Sequence, residues 1–259
     1  LAAASSSAAA ELEIAWCGSG GRRAARLRRS GLPAIDGAAS LAPVGGSFVV
    51  TGGLGGLGMR AAALLVERCA TRVVLASRSG RVARSGQGLA AQLRQLGDAC
   101  EAVASDGADA RDASAMLCRA QPLHGVLHAA GAADKGLLMD VEAGRMAWMF
   151  GPKAFGAWWL HASCATSVLE AKVLFSSVGS GFGNVGQANY AAGNGCLDTL
   201  ALARRAHGLV SCCLQWPIVG GAGMGAATYS ALQGRQMSLV GMAGISLEQY
   251  AECLGAELV

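Results

Sequence analysis

Residues 47–58 read SFVVTGGLGGLG. Ser47 to Thr51 is a short apolar run of strand type, and the residues after it open a helical pattern with Leu57, Ala61, Leu64 and Leu65 on one side. The turn between them, Thr51 to Gly58, places Gly53, Gly55 and Gly58 in the spacing GxGxxG. Glycine there lets the backbone turn sharply and lets a pyrophosphate approach the amides at the amino end of the helix, where the macrodipole favours negative charge. In a chain with 38 glycines such a turn could be merely structural. The strand before it and the helix after it favour a nucleotide site, with Thr51, Gly53, Gly55, Leu57 and Gly58 as its contacts.

Outward from this turn the same alternation repeats. RVVLA, ACEAVA, GVLHA, KVLFS and LVSCCLQW are further short apolar runs separated by helical stretches, one of them carrying Leu89, Leu93 and Leu96 and another, longer one interrupted at Gly151-Pro152. Parallel strands need crossovers, and helical crossovers cover both faces of the sheet. The pattern predicts an α/β, Rossmann-like, doubly wound parallel sheet. After Trp216 the chain loosens into PIVGGAGMGAATYS, either a lid over the substrate or an ordinary surface loop, before Ser246 caps a last helix.

The strand ends name further contacts. Where an acidic residue would grip the ribose hydroxyls of NAD, LASRSG places Ser77 and Arg78, and an Arg suits the 2′-phosphate of NADPH. Asp106 after the third strand can accept from an adenine amino group or cap the helix that follows. HAAG ends the fourth strand with Ala129, Ala130 and Gly131, small enough for a cofactor to lie against the backbone, whereas His128 reads as a core residue.

A second constellation lies in FSSVGSGFGNVGQANYAAGN, residues 175–194. Tyr190 and Asn194 are four apart and share a helix face, and Ser177 arrives from the end of the strand KVLFS. A phenol with a hydroxyl beside it at the carboxyl end of a strand suggests proton donation to a carbonyl.

Composition sets the bounds. At 259 residues the chain can bury one good core. Its 21 basic against 17 acidic residues leave +4, too little and too dispersed to argue for nucleic acid. No apolar run approaches the ~18 residues of a membrane span. Nine cysteines without a CxxC read as reduced, buried thiols, which points to an intracellular, soluble protein, and the four histidines have no spacing with them that suggests a metal site. Residues 1–46, with an Ala/Ser run, a strand pattern at Glu11 to Trp16 and arginines between Arg22 and Arg29, lack a core of their own. With Leu rather than Met first, the chain is expected to be part of something longer.

TGGLGGLG, LASRSG, HAAG, PKAFGAWWLH, LFSSV and GQANYAAGN together resemble, in order and spacing, the ketoreductase domains of modular polyketide synthases and related fatty acid synthases, within the short-chain dehydrogenase/reductase superfamily. The resemblance runs from about Ser47 to the end, and ELEIAWCGSGGRRAARL resembles the close of the structural subdomain that precedes such catalytic halves. It implies a linker and subdomain remnant over 1–46, a catalytic domain over 47–259, and one further strand that the chain stops short of at Val259. It also implies a tetrad of Lys153, Ser177, Tyr190 and Asn194, with Lys drawn from an earlier helix rather than from four residues after Tyr. In that scheme Tyr190 protonates the reduced carbonyl, Lys153 and the oxidised nicotinamide favour its phenolate, Ser177 orients the carbonyl, and Asn194 holds a water. The implied activity is NADPH-dependent reduction of a β-ketoacyl thioester on an acyl carrier protein, among other synthase domains. A catalytically silent nucleotide-binding domain of such an assembly and a free-standing reductase of small ketones are the alternatives. Ala133-Asp134-Lys135 replaces the Leu-Asp-Asp of one stereochemical class and Phe182 the Trp of the other, so neither signature is complete.

Overall fold

The computed structural model describes residues 14–16, 22–24, 43–83, 87–233 and 244–258. The chain forms two compact units, residues 1–39 and 40–259. In the first, Ile14–Trp16 pairs antiparallel with Arg22–Ala24. The strand pattern expected from Glu11 is thus described over its last three residues, and the rest of the arginine-rich piece, like most of 1–46, lies outside the described residues.

The second unit is built on six strands: β1 (Ser47–Thr51), β2 (Arg72–Ser77), β3 (Cys100–Ala104), β4 (Leu123–His128), β5 (Ala171–Ser177) and β6 (Cys212–Trp216). All neighbours are parallel and the spatial order is β3-β2-β1-β4-β5-β6. This is the doubly wound order expected, and it reverses between β1 and β4, the kind of switch point beyond which, at the carboxyl ends of the strands, open α/β sheets bind ligands.

Side-chain alternation explains the two covered faces. Phe48 and Val50 of β1, Val73 and Leu75 of β2 and Phe175 of β5 face α1 (Gly56–Glu67), α2 (Leu89–Leu96) and α9 (Leu247–Ala256). Val49, Val74 and Val126 turn the other way, against Met116 and Leu117 of α3 (Ala110–Arg119) and Leu160 of α5 (Gly156–Ser163). On that side Leu174 of β5 packs against Leu197 and Ala201 of α7 (Ala188–Ala206).

The long helix does not break at Gly151-Pro152. α4 (Ala143–Phe150) runs through a π-helical turn, Gly151–Phe155, directly into α5. Proline has no N–H to donate to the preceding turn, and widening the helix by one residue absorbs that loss without ending it. After β6 come the short α8 (Ala226–Gln233) and an isolated parallel bridge between Val219 and Ile245. Ser246 caps α9 as expected, in a full capping box with Gln249. The cysteines differ from expectation: the eight described ones are free thiols, but Cys69, Cys118, Cys196 and Cys253 are exposed and only Cys164 is fully buried. Apolar neighbours in sequence do not bury a thiol on the outer face of its helix, as for Cys118, Cys196 and Cys253, or in the turn after one, as for Cys69. No helix among the described residues is long and apolar enough to cross a membrane.

Candidate active site

The glycine-rich turn joins β1 to α1. Gly52, which the GxGxxG spacing does not single out, is the residue of the turn with a positive φ, +67°, and a Cβ there would lie 2.7 Å from the Ala129 carbonyl oxygen. Gly58 lies so close to the same turn that a Cβ would be 2.3 Å from the Gly52 oxygen. α1 starts at Gly55 with no side-chain cap and no acidic residue in its first turn, so its leading amides have no local anion competing for them. The residues present therefore fit a dinucleotide pyrophosphate. Leu57 is half-buried, its carbonyl accepting from the Tyr250 hydroxyl of α9 at 2.9 Å. The loop after β6 reaches this turn. Gln87 accepts from Gly223 N at 3.2 Å and donates back to Gly223 O at 3.5 Å, and a Cβ on Gly56 would lie 2.2 Å from Gly223 N.

Ser77 ends β2 with its hydroxyl donating to Arg81 O at 3.2 Å. Arg78 beside it is exposed and has no hydrogen-bond or ion-pair partner among the described residues. Asp106 is exposed; its Oδ1 accepts from Ala108 N at 3.0 Å. Capping of α3 falls instead to Asp109, which accepts from Arg111 N and Asp112 N at 2.8 and 3.0 Å. Ala129, Ala130 and Gly131 follow β4 half-buried, with Ala129 N donating to Thr51 O at 3.0 Å.

Thr51 and His128 lie opposite each other across β1 and β4, with Thr51 Oγ1 and His128 Nδ1 2.7 Å apart. His128 Nε2 is 3.1 Å from the Lys153 carbonyl oxygen. That oxygen can only accept, so Nε2 carries the proton and Nδ1 accepts from the Thr51 hydroxyl. Burial, with the nearby Lys153 charge, drives the His128 pKa down to about 3, so the ring is neutral. His128 is a core residue, as read from the sequence, but it also fixes the π-helical turn that carries Lys153.

Lys153 is buried, and Nζ donates to the Phe175 carbonyl of β5 at 2.8 Å while lying 5.8 Å from the centre of the Tyr190 ring. Burial lowers its pKa to about 8, against the opposing pull of Cys213 and Asp198. Gly131 faces it so closely that a Cβ would be 2.6 Å from Lys153 Cε. Ser177 ends β5 and caps the short α6 (Val178–Phe182), its Oγ accepting from Gly179 N at 3.2 Å and so keeping its own proton to give. Ser177 Oγ and Tyr190 Cε1 flank Gly179, 3.5 and 3.9 Å from where its Cβ would sit. Asn194 Nδ2 donates to Tyr190 O at 2.8 Å, and its Oδ1 is buried without a partner among the described residues. An orphaned buried acceptor is a place for a water or a ligand.

Asp134 and Asn189 were not singled out as site residues. Asn189 Nδ2 donates to Asp134 Oδ2 at 2.7 Å, while its Oδ1 accepts from Tyr190 N at 2.8 Å, so the loop after β4 is tied to the first turn of α7. Arg145 pairs with Asp134 at 2.5 Å and, with Asn189, holds its carboxyl below the usual range. The position of Asp134 three residues after HAAG was the available signal.

Comparison with known proteins agrees with this fold. A family model described as KR domain matches residues 46–221. Polyketide synthase GfsA of Streptomyces halstedii is 40% identical over 236 residues, 89% of this chain and 3% of that protein. The spectinabilin polyketide synthase system protein NorB of Streptomyces orinoci is 40% identical over 218 residues, 82% of this chain and 10% of that protein. The chain thus spans a small part of the curated relatives it matches. Among solved structures, one titled as an A1-type ketoreductase superposes with a TM-score of 0.79 at 37% identity, covering 95% of this chain and 52% of that one. The first ketoreductase of the tylosin polyketide synthase gives 0.75 at 35%, again over 95% and 52%. By the family model that matches most of its length, its 40% identity to polyketide synthases and its superposition on solved ketoreductases, the chain belongs to the KR domain family, the ketoreductases of modular polyketide synthases within the short-chain dehydrogenase/reductase superfamily.

Proposed function

We propose that this chain reduces a β-ketoacyl thioester, presented on an acyl carrier protein, to the β-hydroxyacyl thioester with NADPH. The observation that carries the reading is the meeting of Lys153, Ser177, Tyr190 and Asn194 beyond the carboxyl ends of β4 and β5, beside an uncapped, glycine-lined helix start. Thr51, Gly53, Gly55, Leu57 and Gly58 would cradle the pyrophosphate, Ser77 and Arg78 the 2′-phosphate, Asp106 the adenine, and Ala129, Ala130 and Gly131 the inner face of the nucleotide. NADPH, when bound, supplies hydride to the ketone carbon.

The protein supplies the proton and the geometry. Ser177 donates to the carbonyl oxygen and fixes its direction. Tyr190 gives its phenolic proton to that oxygen as negative charge grows there. Lys153, an ammonium below its pKa of about 8, favours the phenolate that Tyr190 leaves behind. Asn194 Oδ1, without a partner among the described residues, holds a water that restores the proton from solvent. Residues 47–259 form the catalytic domain and 1–46 a linker with the remnant of a structural subdomain, working among other synthase domains inside the cell.

The test is consumption of NADPH, followed by its absorbance, with a β-ketoacyl thioester. Tyr190→Phe is expected to lose about 100-fold or more in kcat while its Kd for NADPH stays within twofold. NADPH binding without turnover of any β-ketoacyl thioester by the unmutated protein would favour the silent, structural reading instead.

A further inference from the structure

Tyr190, Asn194 and Asp198 follow one another at intervals of four on α7 and share one face. Asp198, a turn further along α7 than Asn194, is half-buried and fully engaged. Its Oδ2 accepts from Ser180 Oγ of α6 at 2.6 Å and from Gln215 Nε2 of β6 at 2.8 Å, and its Oδ1 accepts from Cys213 Sγ of β6 at 3.0 Å. Ser180 sits three residues after Ser177, with its Oγ also 2.8 Å from the Ser177 carbonyl oxygen. The carboxylate therefore ties the turn that carries Ser177 to the helix that carries Tyr190.

The same carboxylate bears on Lys153. Among the described residues Lys153 has no ion-pair partner, and Nζ is bonded to the Phe175 carbonyl of β5. The titratable groups that act on it or stand beside it are His128 from β4, Tyr190 and Asp198 from α7, and Cys213 from β6. His128 is neutral, with its pKa at about 3. The Cys213 thiol is pushed far up by burial and by Asp198, and stays protonated at neutral pH. Burial works to raise the Asp198 pKa, but hydrogen bonds from Cys213, Ser180, Ser176 and Gln215 outweigh it and keep the group ionised. Cys213, whose thiol donates to Asp198 Oδ1, lies opposite Leu174 in the β5–β6 register, next to the Phe175 whose carbonyl holds Lys153 Nζ, so Asp198 is the ionised carboxylate that acts on the buried ammonium.

We propose that Asp198 is a positioning residue of this site: its carboxylate is the counter-charge that keeps Lys153 protonated, and its bond to Ser180 sets the turn that presents Ser177. The catalytic part of this inference rests on the reductase reading above; the electrostatic part does not.

Two variants test it. Asp198→Asn removes the charge with little change of shape. Gln215→Lys, at an exposed position, places an ammonium on the same carboxylate and leaves the interior untouched. In protein carrying 15N-labelled lysine, with the Lys153 signal assigned by Lys153→Arg, the ionisation midpoint of Lys153 should fall by about 1 pH unit in Asp198→Asn and by about half that in Gln215→Lys. Correspondingly, kcat/KM for a β-ketoacyl thioester should drop about fivefold at pH 8 in Asp198→Asn and stay within about twofold at pH 6, because only the alkaline limb depends on how much Lys153 remains charged. A midpoint that stays put in both variants overturns the proposal, whether or not activity falls, since a purely structural role would lower kcat at every pH. A midpoint that moves in a protein that turns over no β-ketoacyl thioester would retain the tuning of Lys153 and reject the reductase reading.

Discussion

Arg78 presents at the end of β2 a guanidinium without a partner among the described residues, at the place proposed for a nucleotide 2′-phosphate. One charge-assisted contact to a 2′-phosphate contributes about 1.5–3 kcal/mol. Arg78→Ala is therefore expected to raise the Kd for NADPH about 10–100-fold and to leave that for NADH nearly unchanged, measured by titrating nicotinamide fluorescence. Equal losses for both nucleotides would remove the 2′-phosphate from the account. At this scale the sequence was informative wherever spacing alone fixes direction: Tyr190 and Asn194 are four apart on a helix, and Ser177 ends a strand. Lys153 was reached through family resemblance, because no local pattern points a lysine on a separate helical turn toward Tyr190. His128 and Asp198 were passed over as contributors because their partners, Lys153 and Thr51 for the one, Ser180, Gln215 and Cys213 for the other, meet them only in three dimensions.

The elements themselves were legible to within a few residues, because period-two apolar runs and a 3.6-residue helical stripe survive in the sequence whatever the tertiary context. Where the reading differed, a backbone adjustment was responsible. Gly151-Pro152 looked like a helix break, yet the π-helical turn widens the helix and carries Lys153 inward on it. The last helix was read correctly from Ser246, and its cap has a consequence for the site. α9 buries Tyr250 and Leu254 in the main core, and the Tyr250 hydroxyl holds Leu57 O in the nucleotide turn at 2.9 Å. Ser246 accepts from Gln249 N while the Gln249 side chain accepts from Ser246 N, two helix-start amides satisfied at once. Ser246→Ala should cost about 1 kcal/mol, read as a lower urea midpoint with an unchanged m-value. An unchanged midpoint would mean that α9 is held by packing alone.

Among the described residues of the whole molecule, four cationic side chains are buried: Arg68, Lys153, Lys172 and Arg204. Lys153 has its proposed counter-charge in Asp198, whereas Lys172 on β5 has no carboxylate partner among the described residues. It is 1% exposed, and its Nζ is within 3.4 Å of the Cys164 sulfur, with Arg204 adding repulsion. Burial lowers its pKa from 10.5 to about 8, only partly opposed by Cys164. A lysine with a lower pKa in the folded state binds fewer protons there than in the unfolded chain between those two values, so folding stability rises with pH across that window. Below it the ammonium is charged in both states and the cost of burying it is paid in full. Lys172→Met keeps the length of the side chain and removes the charge, so it should stabilise the protein by about 1–3 kcal/mol at pH 7. That gain should shrink as pH rises from about 8 toward 10.5, where the lysine becomes neutral in both states. Urea unfolding of the two proteins at pH 7 and pH 10 measures the difference directly. A variant destabilised equally at both pH values would show that the Lys172 stem packs better than methionine and that its charge is not what limits stability.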